Sequence, residues 1–191
     1  MEKKKILFLC GMYGGKRDMF MIKKILNNFE VIYFPYDSTL RQNVEFSSKK
    51  LKKFVAHLKL KKRENIGIIG TSAGGIIADY YIKFLGGSKR VDKFVTICSP
   101  LHGTYLGNLG YLIFGKRAGL MELGSGSSFI KKLNRKKLIK TQSENFWCYL
   151  DPLVPGKSGK GENSVHTWFF FHWAVHFWPG LIYKIKEFME S

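Results

Sequence analysis

One stretch, Gly70-Thr71-Ser72-Ala73-Gly74, constrains the fold of this 191-residue chain more than any other. It follows an apolar run over residues 66–69 that is typical of a buried strand, and it precedes apolar positions at helical spacing over residues 76–84. A sharp turn from strand to helix strains its central residue, so small neighbours are needed two positions before and after it. The pattern predicts a nucleophile elbow that exposes the Ser72 hydroxyl. A glycine-rich structural turn is the alternative interpretation.

Length and composition indicate one globular unit, and we expect a single domain over residues 1–191. A chain of this length buries about 70% of its unfolded surface, and its contents of 45% hydrophobic and 24% charged residues are ordinary. No apolar run in the sequence approaches the roughly 20 residues of a membrane span. The run over residues 6–10 is too short for a secretory signal. We therefore expect a soluble, cytoplasmic protein.

The cysteines and the net charge limit the cellular setting and the kinds of partner that we expect. Cys10, Cys98 and Cys148 each lie in or beside an apolar run, and an odd number cannot pair completely, so we expect reduced, buried thiols. The formal net charge of +18 indicates an anionic partner, which could be a membrane surface, a nucleic acid or an acidic substrate. No Cys/His spacing predicts a metal site and no Rossmann glycine pattern predicts a dinucleotide, so no cofactor is expected.

The order of predicted elements indicates an α/β fold. Strands are predicted over residues 4–10, 30–34, 66–69, 93–98, 145–150 and 165–170. Helices are predicted over residues 17–28, 46–60, 129–133 and 181–189 and directly after the elbow, while residues 101–126 are interpreted as loops with short helical turns. This alternation predicts a sheet of about six mostly parallel strands with helices on both faces. Ligands bind such sheets beyond the carboxyl ends of the strands.

A serine hydroxyl needs a general base, and that base needs a carboxylate to orient it. In hydrolases with this elbow the chain order is serine, acid, histidine, so both partners should follow Ser72. Asp151 is the best-placed acid because it comes directly after a predicted strand. Glu122, Glu144 and Glu162 are interpreted as loop or surface charges.

Four histidines follow the serine, and His172 is the preferred base. His102 precedes the acid, and His166 begins an apolar run and is interpreted as a strand residue. His172 comes 21 positions after Asp151, which leaves room to return to the same edge of the sheet. His176 remains the alternative base, since it lies only one helical turn beyond His172.

Backbone N–H groups of Met12 and Ala73 are the predicted oxyanion donors.

The chain resembles the small bacterial α/β-hydrolase lipases and esterases in the elbow, in the order of its candidate residues and in several further segments. The resemblance rests on the first loop "CGMYGG", the elbow helix "GTSAGGIIADYYIKFLGG", "VDKFVTICSPLHGT", "ELGSGSSFIKKLN", the acid loop "YLDPLVP" and the ending "FFHWAVHFWPGLIYKI". In similar proteins a proline stands about seven places after the catalytic histidine, as Pro179 does after His172. The chain departs from the family at Cys10, where His is usual, and at Phe171, where Gly is usual.

The resemblance implies a minimal α/β-hydrolase fold and a serine hydrolase that cleaves carboxylic esters through an acyl-enzyme intermediate. The expected substrate is an ester or lipid with an apolar acyl chain. Thioester hydrolysis or acyl transfer on the same scaffold, and a basic membrane- or nucleic-acid-binding protein with a vestigial site, are the alternatives. Lysine clusters and aromatics near Trp168, Trp173 or Trp178 predict peripheral contact with anionic membranes, and we do not expect nucleic acid as the partner.

Overall fold

Six strands form one sheet in the computed structural model, which describes residues 3–148, 150–161, 163–167, 172 and 174–191, and only the backbone of His176. The strands are β1 (Lys5–Leu9), β2 (Glu30–Tyr33), β3 (Ile66–Thr71), β4 (Val91–Ile97), β5 (Gln142–Cys148) and β6 (Ser164–Thr167). Their order across the sheet is β2-β1-β3-β4-β5-β6, and every neighbouring pair is parallel. The predicted α/β class and the six parallel strands are thus confirmed, while residues 168–170 of the last predicted strand lie outside the described residues.

Helices connect the strands. They are α1 (Phe20–Ile25), α2 (Val44–His57), α3 (Ala73–Phe84), α4 (Tyr105–Leu109), α5 (Tyr111–Phe114), α6 (Ala118–Glu122), α7 (Ser128–Arg135), α8 (Gly156–Gly159) and α9 (Pro179–Glu190). Short 3-10 turns cover Lys16–Met19, Gly87–Lys89 and Val175–Phe177. In the described part of the chain, no helix combines the length and the apolar character that crossing a bilayer requires.

Both faces of the sheet are covered because the strands carry apolar side chains on alternate faces. Leu7 and Ile68 pack with buried side chains of α2, α3 and α7. Their strand neighbours Phe8 and Ile69 point the other way and pack with α1 and α9. All four strand residues have no solvent exposure, which explains why the central strands read as continuous apolar runs.

Some element boundaries differ from the predicted ones where polar residues decide them. Helix α2 begins at Val44 rather than at residue 46 because Asn43 caps it, accepting the Phe46 N–H at 2.7 Å. Strand β5 begins at Gln142 rather than at residue 145, since its polar start still pairs with β4 through Lys93↔Gln142. The predicted helix over residues 17–28 is a 3-10 turn followed by the six residues of α1.

Candidate active site

The predicted elbow is present as a tight turn between β3 and α3. Ser72 lies between the two elements with φ +49° and ψ −123°, a conformation that L-residues rarely adopt. A Cβ atom on Gly70 would lie 2.5 Å from the Gly75 Cα, and one on Gly74 would lie 2.5 Å from the Leu9 carbonyl oxygen. Both positions therefore require glycine, because backbone atoms rather than movable side chains occupy the space.

Ser72, His172 and Asp151 form one hydrogen-bonded chain. The His172 Nδ1 lies 2.5 Å from the Asp151 Oδ2, and the His172 Nε2 lies 3.0 Å from the Ser72 Oγ. Asp151 and His172 are 3% and 8% exposed, so water screens their contact weakly. An Nδ1–H that donates to the carboxylate leaves Nε2 free to accept the serine proton. The arrangement has the geometry that general-base activation of a serine needs.

The second oxygen of Asp151 fixes the orientation of the carboxylate. Its Oδ1 accepts backbone N–H groups of Leu153 and Val154, both at 2.9 Å. The Thr104 hydroxyl donates to the Leu153 carbonyl oxygen and so ties this loop to the segment after β4. The acid is thereby held by backbone groups on its far side while Oδ2 faces the imidazole.

The predicted oxyanion donors lie beside the serine. Ala73 is the first residue of α3, so its N–H has no partner within the helix. Met12 follows Gly11, whose backbone packs directly against Ser72, and both residues line the same cavity as the serine. Within the described ranges, the Met12 N–H has no hydrogen-bond acceptor. Met12 and Ala73 thus line the same cavity as the serine, which is the neighbourhood in which an oxyanion site needs its donors.

Two residues that the sequence analysis missed hold the first loop in place. The Tyr36 hydroxyl donates to the Cys10 carbonyl oxygen at 2.7 Å. The Ser38 hydroxyl donates to the Gly14 carbonyl oxygen at 3.0 Å, and the Ser38 carbonyl accepts the Tyr13 N–H at 3.0 Å. Both residues follow β2 in the sequence, and β2 pairs with β1, which leads into the first loop. This position is the signal from which their role could have been predicted.

The other histidines and glutamates considered as base or acid make different contacts where the structure describes them. The exposed His102 has its Nε2 2.9 Å from the Lys160 carbonyl oxygen, and His166 packs in β6 against the Trp147 ring. Glu122 is half-buried and accepts the Val44 N–H at 2.7 Å, so it caps α2. Glu162 and the side chain of His176 lie outside the described residues. Among the histidine side chains that the structure describes, only His172 reaches Ser72.

A predominantly apolar cavity of about 380 Å³ opens at Ser72 and His172. Aliphatic and aromatic side chains from the first loop, from the loop between β2 and α2, from the segment after β4 and from the acid loop form its wall. They include Leu40, Leu106, Phe114, Leu120, Leu123 and Val154. A larger cavity of about 830 Å³ lies around Asp79, Lys83 and Asn134, and it does not include Ser72. The smaller cavity is therefore the one in which a bound molecule would meet the Ser72 hydroxyl.

One cluster of possible metal ligands exists in the described part of the chain. The Cys98 Sγ, an Asp151 carboxylate oxygen and a His172 ring nitrogen lie within 4.8 Å of one another. The imidazole and the carboxylate already bond to each other at 2.5 Å. A hydrogen bond with Cys148 and burial raise the pKa of the Cys98 thiol well above its usual value, which keeps it protonated and a poor ligand. The cluster fits a hydrogen-bonded acid site better than a metal site.

Comparison with known proteins shows the fold. No protein-family model and no curated protein sequence matches this chain. Among solved structures, the mature form of the lipase BlEst2 of Bacillus licheniformis is similar over 96% of this chain and 90% of its own, with a TM-score of 0.72 and 16% identity. Lipase B of Aspergillus fumigatus is similar over 95% of this chain but 51% of its own (TM-score 0.76, 16% identity).

A third similar structure has nearly the same length as this chain. It is a lipase-esterase related protein of Clostridium acetobutylicum, similar over 98% of this chain and 95% of its own, with a TM-score of 0.69 and 16% identity. At these identities the similarity establishes the α/β-hydrolase fold. It also confirms the structural resemblance to lipases and esterases.

Proposed function

We propose that this protein is a serine hydrolase that cleaves carboxylic esters through an acyl-enzyme intermediate. The observation that carries the proposal is the hydrogen-bonded chain from Ser72 through His172 to Asp151, which opens into an apolar cavity. The fold is shared with lipases and esterases, and this raises the expectation of ester chemistry.

In the proposed mechanism the His172 Nε2 takes the Ser72 proton as the Oγ attacks the ester carbonyl. Negative charge then develops on the carbonyl oxygen, where the N–H groups of Met12 and Ala73 donate to it. Asp151 holds the imidazole in the correct tautomer and stabilises its protonated form. The imidazolium gives its proton to the departing alcohol, and a water activated by the same histidine releases the acid.

The wall of the cavity supports an apolar acyl group as the substrate's reacting part. Most of its side chains are hydrophobic, and Ser72 is among the residues that line it. A buried apolar surface stabilises a bound chain by about 0.8 kcal/mol per methylene. Binding should therefore improve as the acyl chain lengthens until the cavity of about 380 Å³ is filled. We propose an ester or lipid with an apolar acyl chain as the substrate.

A panel of nitrophenyl esters with acetyl to palmitoyl chains tests this proposal. Measurable hydrolysis that disappears in Ser72→Ala, with kcat/KM rising from the acetyl ester to a medium-chain ester, is expected. Leu106→Trp should narrow the cavity, in whose wall Leu106 lies, and lower the ratio of medium-chain to acetyl rates. Absence of hydrolysis, or equal rates along the panel in both proteins, would contradict it.

The surface around the cavity supports peripheral contact with anionic membranes. Residues 105–114 carry no charge, and Tyr105, Leu109, Leu112 and Ile113 are 69%, 59%, 70% and 75% exposed. Ile113 also lines the cavity, so this exposed apolar segment adjoins it. The net charge of +18 adds attraction to an anionic surface, with each nearby basic residue contributing about 1 kcal/mol. Of the tryptophans predicted to insert, Trp178 is 38% exposed, and Trp168 and Trp173 lie outside the described residues.

Cosedimentation with vesicles tests the membrane contact. Wild type should bind vesicles containing phosphatidylglycerol at low salt, dissociate at high salt and leave phosphatidylcholine vesicles unbound. Leu109→Ser/Leu112→Ser should bind less, whereas Tyr183→Ser, which removes an exposed aromatic of α9, should not. Equal binding to both lipids, or equal binding by both variants, would contradict the proposed surface.

A further inference from the structure

Two buried thiols are in contact beside the candidate active site. Cys98 directly follows β4, and Cys148 is the last residue of the adjacent strand β5. Their Sγ atoms are 3.2 Å apart, and the Cys98 N–H donates to the Phe146 carbonyl oxygen at 2.8 Å. Paired backbones thus hold the two side chains together. A disulfide bond of about 2.05 Å needs the sulfur atoms to approach by little more than 1 Å.

The pair adjoins the acid of the proposed mechanism. The Cys98 Sγ belongs to the cluster within 4.8 Å that includes Asp151 and His172. Cys148 precedes Asp151 by three residues, so the end of β5 and the acid are close along the chain. Cys98 has φ +47°, a conformation rare for a residue with a side chain, and its backbone is thus strained beside the acid of the proposed mechanism.

The hydrogen bond between the two thiols shifts their pKa values in opposite directions. A hydrogen bond with Cys98, and one with Thr167, whose Oγ1 is 3.1 Å from the Cys148 Sγ, lower the pKa of Cys148. The same bond to Cys148, together with burial, raises the pKa of Cys98. The lowered pKa favours the thiolate, which is the reactive form, at Cys148 rather than at Cys98. The Cys98 thiol, 3.2 Å from the Cys148 Sγ, lies where it can attack a sulfenic acid formed on Cys148.

We propose that Cys98 and Cys148 are an oxidation site, at which hydrogen peroxide forms a disulfide that reversibly lowers the activity of the neighbouring triad. The Cys148 thiolate attacks peroxide, so that an S–O bond forms, the O–O bond breaks and hydroxide leaves. The Cys98 sulfur then attacks the Cys148 sulfur, the S–O bond breaks, and the released oxygen takes up the Cys98 proton as water. In total two thiols lose two electrons and one peroxide becomes two waters.

The loss of activity follows from the geometry and rests on the proposed function. Closing the sulfur gap draws Cys98 and the end of β5 together and shifts the support of Asp151. Because a displacement of about 1 Å in a catalytic group costs on the order of 100-fold in rate, we expect at least a roughly tenfold loss of kcat/KM.

The test treats the full chain with hydrogen peroxide and counts thiols in the unfolded protein with a chromogenic disulfide reagent. The count should fall from the three cysteines of the sequence to that of Cys10 alone. Mass mapping should find the peptides of Cys98 and Cys148 joined. This readout does not depend on ester hydrolysis, so a disulfide without esterase activity in either state would overturn the proposed function and leave the oxidation site standing. An unchanged thiol count would overturn the oxidation site itself.

Matched variants test the link to activity. Each is compared with its own untreated state, before peroxide, after peroxide and after dithiothreitol. Cys10→Ser should lose activity about as wild type does and recover it with dithiothreitol, while Cys148→Ser should lose little. Oxidation of Met12 would also lower activity, but its sulfoxide is not reduced by dithiothreitol. Inactivation of Cys148→Ser equal to that of wild type, or a disulfide that leaves the rate unchanged, would overturn the proposed control of activity.

Discussion

Asp151→Asn should abolish most of the activity and leave the fold almost intact. The Asp151 Oδ1 accepts two backbone N–H groups at 2.9 Å, and the amide oxygen of asparagine can accept both. The amide NH2 would then take the place of Oδ2, 2.5 Å from the His172 Nδ1. Because this group donates, it favours the imidazole tautomer with the proton on Nε2. That nitrogen could then no longer accept the Ser72 proton.

The expected cost is about 10⁴ in kcat, or about 5 kcal/mol of transition-state stabilisation. The melting temperature should change little, in contrast to Asp151→Ala, which leaves both backbone donors without an acceptor. Initial rates with a medium-chain nitrophenyl ester and thermal unfolding measure the two effects. Glu144→Gln is the matched control, since Glu144 lies in β5 opposite Val95, away from the serine. Activity of Asp151→Asn within tenfold of wild type, or an equal loss in the control, would refute the reasoning.

Three further predictions concern the histidines, the elbow and a buried carboxylate. His172→Ala should lower kcat as much as loss of the serine does, whereas His176→Ala should mainly lower stability; the reverse pattern in kinetics and unfolding would make His176 the base. Gly74→Ala should destabilise the fold by more than about 2 kcal/mol, measured by urea unfolding, because its Cβ would meet the Leu9 carbonyl oxygen. Burial raises the pKa of Asp79 from 3.8 to about 6 despite its 2.8 Å ion pair with Lys83. Relative to Asp79→Asn, wild type should therefore lose about 3 kcal/mol of unfolding free energy as pH rises from below 4 through 6, and parallel pH profiles would contradict this.

The sheet could be predicted from the sequence because its signals are local. Apolar runs such as residues 66–69 and the helical spacing after Ser72 give strand and helix without knowledge of distant contacts. Gly70 is required by backbone atoms of Gly75 within the turn, whereas Gly74 is required by the Leu9 backbone of β1, so only its place in the elbow pattern indicates it. The elbow and the parallel sheet could therefore be predicted. Chain order narrowed the search for the acid and the base, the position after a strand favoured Asp151, and His176 stayed open beside His172 as the base.

Features that depend on contacts between distant segments could not be read. Tyr36 holds the first loop only because β2 lies beside β1, and the sequence carries no motif for that hydrogen bond. The contact between Cys98 and Cys148 arises because β4 and β5 are adjacent, whereas the sequence indicated only that each thiol is buried. The sequence predicts only a loop or surface charge at Glu122, because the backbone N–H that it accepts lies 78 positions away.

Covalent labelling with a fluorophosphonate tests the central claim most directly. The reagent reacts with a serine that a neighbouring base activates, and the phosphonyl group mimics the tetrahedral intermediate at the oxyanion site. We predict one adduct per chain, mapped by mass spectrometry to the peptide of Ser72. Labelling should be lost in His172→Ala and suppressed by prior incubation with a medium-chain ester. An adduct on another residue, or no adduct on the folded wild-type protein, would contradict the account.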